Sequence, residues 1–378
     1  MATTTFQFFW NRPVVEREFR TGVSLHSHTI YSEESVESIP RHLSRIPYFG
    51  SRILRGNGLD ASRLFWTPPL SPRQAYRLEE KQIHRKLQLP ALVSLTDHDD
   101  IRAGSLLRVL DRFRDAPIST EWSVPFGPAV FHLGIHNLPP SHAADVMAQL
   151  SRFTTSGAAD PQSRDRQLSG LLAMLNSYPN LLIVLNHPLW DESDLGSKRH
   201  AETLSQFLVR HGRTVHALEL NGLRPWRENR RVIVLARDMN LPAISGGDRH
   251  GLEPNSTVNL SQQRNFEAFV NEIRYAKTSH VVFMPQYREP HRLRMIRMIA
   301  EVLADYPESP GRATWPERVF IRQSETGPPT PVASIWGGSR HCPKLLRQIV
   351  RAIQLTQHGS MRFALRLALG GHESLESG

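Results

Sequence analysis

One cysteine, Cys342, stands in 378 residues, which excludes a disulfide framework and a thiolate metal site. No run approaches the ~20 consecutive apolar residues that span a bilayer. Residues 1–13 lack a basic start followed by a long apolar stretch, so no signal peptide is expected. There is no Gly-x-Ser-x-Gly elbow, no glycine-rich loop closing on Lys-Ser or Lys-Thr, and no dinucleotide-binding glycine fingerprint. Acidic residues are outnumbered, 36 against 46 basic ones, for a net charge of +10. That balance favours anionic partners such as phosphoesters, nucleic acid or an acidic membrane surface. A merely basic surface explains the charge as well. The expectation is a cytoplasmic chain without stable membrane insertion.

What is abundant is histidine, 18 residues, so any metal chemistry must use imidazole and carboxylate. Short apolar runs suited to buried parallel strands recur at Val23–Leu25, Ala91–Leu95, Val130–Ile135, Leu181–Leu185, Ala217–Leu220, Pro242–Ser245 and Val281–Met284. Helical stretches are read between and after them, at Pro72–Leu87, Gln167–Leu175, Glu202–His211 and Trp226–Arg237. Strands alternating with helices imply a parallel sheet, open or closed into a barrel. The boundaries expected are a catalytic domain over residues 1–306, with a long basic insertion at about 34–70, and an extension over 307–378. The extension is Pro-containing, basic and partly helical, with helices at Lys344–Gln357 and Met361–Leu369. An amphipathic basic helix there suits either a membrane or nucleic-acid surface or packing against the rest of the protein.

Chemistry-bearing residues follow the apolar runs. His26-Ser27-His28 ends the first, and the alternation of an extended chain puts both imidazoles on one side. Glu33 follows. Thr96-Asp97-His98-Asp99 ends the second run. Glu121 precedes the third and His132 lies within it, His187 of Asn186-His187-Pro188 ends the fourth, and Gly246-Gly247-Asp248-Arg249-His250 the sixth. Singly, His98 or His132 reads as a hydrogen-bonded core histidine, Asp97 as a helix cap, and Asp248 and His250 as loop residues. Their recurrence at strand ends, where α/β folds build their sites, points to a metal centre. Mixed imidazole and carboxylate donors suit Mn, Zn or Fe.

In content and order, over roughly residues 20–255, these clusters resemble the motifs of the PHP (polymerase and histidinol phosphatase) superfamily of metal-dependent phosphoesterases. The resemblance implies an α/β fold, a distorted (β/α)7 TIM-like barrel, here with a helical basic C-terminal extension. It implies two or three divalent metal ions. By motif, His26, His28 and Asp248 would hold the first ion, Glu121 would bridge to the second, His132 and His187 would hold the second, and Glu33, His98 and His250 a third. Two departures stand out. The family usually has Asp where this chain has Glu33. The Arg that commonly follows His-Pro is missing, because Leu189, Trp190 and Asp191 follow Pro188. Arg102, Arg224 or Arg249 is left to contact phosphate, with Arg249, between two ligands, preferred. Asp97 or His250 would shuttle the proton.

The function expected is hydrolysis of a phosphomonoester or phosphodiester by a metal-activated water, on a phosphorylated small molecule or a nucleotide or nucleic-acid end. The rival readings are hydrolysis of another bond such as an amide, and a nucleic-acid-binding module with structural metals.

Overall fold

A computed structural model describes residues 1–11, 18–36, 63–157, 160–309, 311–323 and 327–369. Arg41, Arg45, Arg52 and Arg55 of the expected insertion lie outside the described residues. The chain divides into two units. Unit 1 comprises Met1–His28, Pro72–Arg249 and Pro254–Tyr287, and unit 2 comprises Thr29–Ser71, His250–Glu253 and Arg288–Gly378.

Unit 1 carries strands β1 (Thr3–Phe8), β2 (Thr21–Ser24), β3 (Ala91–Val93), β4 (Ile118–Phe126), β5 (Ala129–Leu138), β6 (Leu182–Leu185), β7 (Ala217–Asn221), β8 (Ala243–Gly246), β9 (Thr257–Ser261) and β10 (Thr278–Phe283). Its helices are α1 (Pro72–Gln82), α2 (Arg102–Arg108), α3 (Ala143–Thr155), α4 (Pro161–Asn176), α5 (Ser197–His211), α6 (Trp226–Asp238) and α7 (Phe266–Asn271). Local chemistry sets several of these. Asp160 caps α4 by accepting from the amides of Gln162 and Ser163, and Pro161 opens the helix where its missing N–H costs nothing. Trp226, Asn229, Val232 and Ala236 recur at helical spacing and form the buried stripe of α6. The Leu-Ile-Val-Leu run of β6 is buried on both faces, as a central strand requires.

The strands form two sheets of five, in the orders β1-β10-β9-β2-β3 and β8-β7-β6-β5-β4. Parallel pairing joins β2 to β3, β6 to β7 and β7 to β8. The parallel expectation fails at two strands. β5 runs antiparallel to β6 and to β4, with which it forms a hairpin that pairs Phe126 with Ala129, and β9 runs antiparallel to both neighbours. A two-residue Gly127-Pro128 turn closes that hairpin, too short for the crossover that a parallel pair needs. Among the described residues there is no closed barrel. Two single bridges, Ser27 with Arg249 and His98 with Glu121, join the sheets near the carboxyl ends of the strands. An apolar cluster fills the space between them, where Val23, Leu25, Val184 and Ile244 meet Phe266 and Phe269 of α7.

Unit 2 holds an antiparallel sheet of short strands in the order Thr330–Pro331, Val319–Ile321, Leu64–Trp66 and Glu34–Ser35. Helices α8 (His291–Val302), α9 (Lys344–Leu355) and α10 (Gly359–Leu369) follow. The basic helix α9 buries Val350, and its Gln354 donates to the Leu303 carbonyl at 2.9 Å. That is packing within the unit. No helix of the described residues is long and apolar enough to cross a membrane.

Candidate metal centre

Unit 1 gathers six of the expected ligands around a seventh, the carboxylate of Glu121. Glu121, fully buried on β4, is the hub. Its Oε2 lies 2.9 Å from His26 Nε2 and 3.3 Å from His28 Nε2. Asp248 Oδ1 closes that group, 3.6 Å from His26 Nε2 and 3.4 Å from His28 Nε2. The other oxygen, Oε1, lies 3.4 Å from His132 Nδ1 and 3.1 Å from His187 Nε2, which are 3.4 Å from each other. His98 Nε2 approaches Oε2 at 3.5 Å. Metal–donor bonds of about 2.0–2.2 Å in a tetrahedral shell put donors about 3.3–3.6 Å apart. Most spacings on both sides of Glu121 lie in that range, the contacts to His26 and His187 at 2.9 and 3.1 Å being shorter, and His26, His28 and Glu121, or His98, Glu121 and His132, are placed to hold a cation.

Register explains the hub. Glu121 pairs with Gly134 and Ser123 with His132 across the hairpin, so Glu121 and His132 share a face. A Cβ at Gly134 would come 2.9 Å from Asn186 Oδ1. The missing side chain leaves room for Asn186, whose Nδ2 donates to Glu121 Oε1 at 3.0 Å. His26, His187 and Asp248 each adopt positive φ, 61°, 27° and 55°. Such backbone costs roughly 1–3 kcal/mol per non-glycine residue and persists only where the surroundings enforce it. Here the amides of Gly247 and Asp248 donate to the carbonyls of Leu25 and His26 at 3.0 and 2.7 Å.

A residue outside the expected set orders this ring. Glu219 is 1% exposed on β7, and its Oε1 pairs with His26 Nδ1. Its Oε2 accepts from the His187 amide at 2.7 Å and from Asn221 Nδ2 at 2.9 Å. Asn221 Nδ2 also donates to Asp248 Oδ2 at 3.2 Å. A carboxylate on Nδ1 fixes the tautomer that leaves Nε2 available to a metal. The sequence carried one signal for it: a carboxylate inside the apolar run Ala217-Leu218-Glu219-Leu220. Gly246 is required beside it, because a Cβ there would come 1.6 Å from Glu219 Oε1.

Electrostatics follow from the crowding. Burial opposes charge on His26, yet the Glu121, Glu219 and Asp248 carboxylates hold its pKa well above the usual imidazole value. Burial likewise opposes charge on His187, and Glu121 with its neighbours raises its pKa. Burial would raise Glu121, but His26, His98 and His132 hold it well below the carboxylate range. His136 belongs to the core instead: burial pushes its pKa down to about 3, and its Nδ1 lies 2.8 Å from Ser94 Oγ.

The remaining expected residues lie elsewhere. Asp97 is buried, and its carbonyl accepts from the Glu121 amide at 3.1 Å and from Thr120 Oγ1 at 3.0 Å, clamping the strand that bears the hub. Arg249, the preferred phosphate contact, is buried with its Nε 3.0 Å from Glu79 Oε1 and an Nη donating to the His28 carbonyl at 3.0 Å. It thereby ties the Asp248 loop to the His28 strand. Arg102 pairs with Asp100 at 2.6 Å, and Arg224 is buried with its guanidinium 3.6 Å from the centre of the Trp190 ring. In unit 2, Glu33 is exposed and pairs with Arg322. The buried carboxylate is its neighbour Glu34, whose Oε1 lies 3.3 Å from His250 Nε2 and accepts from Ser32 Oγ at 2.6 Å. Alternation along Glu34–Ser35 sends successive side chains to opposite faces, so a shift of one position exchanges buried for exposed.

No protein-family model matches the chain, and no curated protein sequence matches it. Among solved structures it is similar to PsfC from Pseudomonas syringae, at 14% identity and TM-score 0.41, with 74% of this chain and 96% of that one covered. A candidate metal-dependent phosphoesterase from Bifidobacterium adolescentis matches at 14% identity and TM-score 0.36, over 68% and 96% of the two chains. An amidohydrolase from Chromobacterium violaceum, with bound sulfate and no metal, matches at 15% identity and TM-score 0.35, over 60% and 87%. None of these likenesses has an identity or a TM-score that carries an argument about function.

Proposed function

We propose that this protein is a metal-dependent hydrolase of phosphoesters, of the PHP kind, acting on a phosphorylated small molecule or a nucleotide or nucleic-acid end. The observation that carries the metal-dependent part is the division of donors between the two oxygens of Glu121. His26 and His28 face Oε2, with Asp248 Oδ1 beside both imidazoles, and these would hold one divalent ion, while His132 and His187 face Oε1 and would hold another. Nitrogen and oxygen donors without thiolate suit Mn, Zn or Fe. Divalent cations there would supply Lewis acidity and acidify a water molecule.

The chain's own residues do the rest. Glu219 keeps Nε2 of His26 turned to the site. Asn186 and Asn221 hold the oxygens of Glu121 and Asp248 by donating to them. Arg249, through Glu79, keeps the Asp248 loop in register with His28 and acts as a positioning residue. Glu34, beside His250, takes the ligand role expected of Glu33. The phosphoester part rests on motif order and on the net charge of +10.

The test is to strip the protein with chelator, restore Mn or Zn, and measure turnover of a phosphomonoester, a phosphodiester and an amide. His28→Ala should bind less metal and abolish turnover. Turnover of the amide alone would replace the substrate class. Full activity in His28→Ala, or none with any metal, would end the hydrolase reading.

A further inference from the structure

Away from the metal centre, an open groove of about 830 Å³ runs between α5 and α6 of unit 1. On α5 it is lined by Ala201, Leu204, Ser205 and Leu208, and on α6 by Arg227, Arg230, Arg231 and Val234. Each set has the spacing i, i+3, i+4, i+7, so each helix turns one whole face to the groove. On α6 this is a second stripe, distinct from Trp226, Asn229, Val232 and Ala236, which face the core.

The groove is apolar where a partner would press. Leu235 and Met239 add to its lining. Two of its valines are left in solvent, Val209 at 83% and Val234 at 53% exposed. The lining from Arg227 to Asp238 is about 17 Å long at 1.5 Å per residue, which accommodates about three turns of a helix. A helix laid in a groove anchors apolar side chains at this same spacing.

Charge selects the occupant. Arg227, Arg230 and Arg231 are exposed along one wall, and among the described residues none of them has a carboxylate partner. Asp238 is the only acidic residue in the lining. A second copy of this chain, docked by a twofold axis on the same face, would bring three more arginines and, from the lining, only Asp238 to meet them. A flat lipid surface would not follow a concave wall. A helix with leucine-like residues on one face and carboxylates beside them meets both the apolar floor and the basic wall.

We propose that the α5–α6 groove is a docking site for an acidic amphipathic helix of a partner protein. The probe is a fluorescein-labelled helical peptide with leucine at i, i+3, i+4 and i+7 and glutamate on the flanks, followed by anisotropy against the full chain. Saturable binding is expected. It should weaken about tenfold or more in Arg230→Glu and in Val234→Glu, and fall with added salt. Both positions are exposed, and melting curves check that the variants stay folded. The same peptide with lysine for glutamate should not bind. The proposal is overturned by absence of binding, by equal binding of the lysine peptide, or by variants that bind as the wild type does. It is also overturned if phosphatidylserine vesicles take up the protein through Arg230 while the peptide does not bind, or if Val234→Glu instead abolishes self-association in sedimentation.

Discussion

Two buried polar regions of unit 1 adjoin and are built on opposite rules. Behind His28, Glu79 is matched group by group: Arg249 Nε meets it at 3.0 Å, the Asn255 amide at 3.1 Å and Ser24 Oγ at 3.0 Å. Every one of these contacts is a donor on an acceptor. Around Glu121, apart from the Asn186 amide, the contacts are imidazole nitrogens and carboxylate oxygens at 2.9–3.6 Å, and these are complementary only with a cation or a proton among them. The carboxylates accordingly raise the pKa of His26 and His187 against the effect of burial, which favours a proton on the same nitrogens that a metal would use. One region is closed chemistry that fixes the backbone. The other is open chemistry, and the closed region keeps it in shape.

The largest expected effect tests the open region. Glu121→Gln removes the shared carboxylate: metal content after dialysis should fall, and on the proposed function turnover should fall with it by about a hundred- to a thousandfold. Retained metal and turnover would leave Glu121 an ordinary buried acid. In the closed region, Arg249→Met leaves Glu79 buried without its cation and should cost about 3–5 kcal/mol of stability by chemical denaturation. If that variant is as stable as the wild type, the two regions do not differ as described. Between them stands Glu219. Glu219→Gln should weaken metal affinity by about 10–100-fold with the melting temperature little changed, read by calorimetric titration. Unchanged affinity would make Glu219 a purely structural partner.

The smallest expected effect is a slope with pH. His26 and His187 have folded values raised above the ordinary imidazole pKa of about 6.5. Their stabilisation of the metal-free protein is therefore complete below that value and is lost as the pH rises through the folded values. Metal needs the same nitrogens deprotonated. The rise in melting temperature on adding Mn should thus be larger at about pH 8 than at about pH 6. A rise independent of pH would place the cation elsewhere.

Most of the candidate ligands were legible because they follow a strand, where the periodicity that announces the strand also announces its end. His26, His28, His98, His187 and Asp248 were proposed in that way. Glu219 was missed because it lies inside a strand, among apolar neighbours that hid it. The hairpin from Ile118 to Leu138 was read only in part: its second strand was expected at Val130–Ile135, while the first, which carries Pro125, was not. Arg249 looked suited to phosphate from its place between two ligands. Only the fold shows Glu79, 170 residues earlier in the chain, already beside it.

The sequence by itself determined the donor types and their order, because a metal centre of imidazole and carboxylate needs those groups at strand ends whatever the details of packing. It also ruled out thiolate chemistry. Tertiary structure alone decided that Glu219 turns His26 and that Glu34 rather than Glu33 lies beside His250. Those outcomes depend on register, left-handed backbone and contacts between distant segments. A shift of one residue exchanges a buried carboxylate for an exposed one without altering any motif.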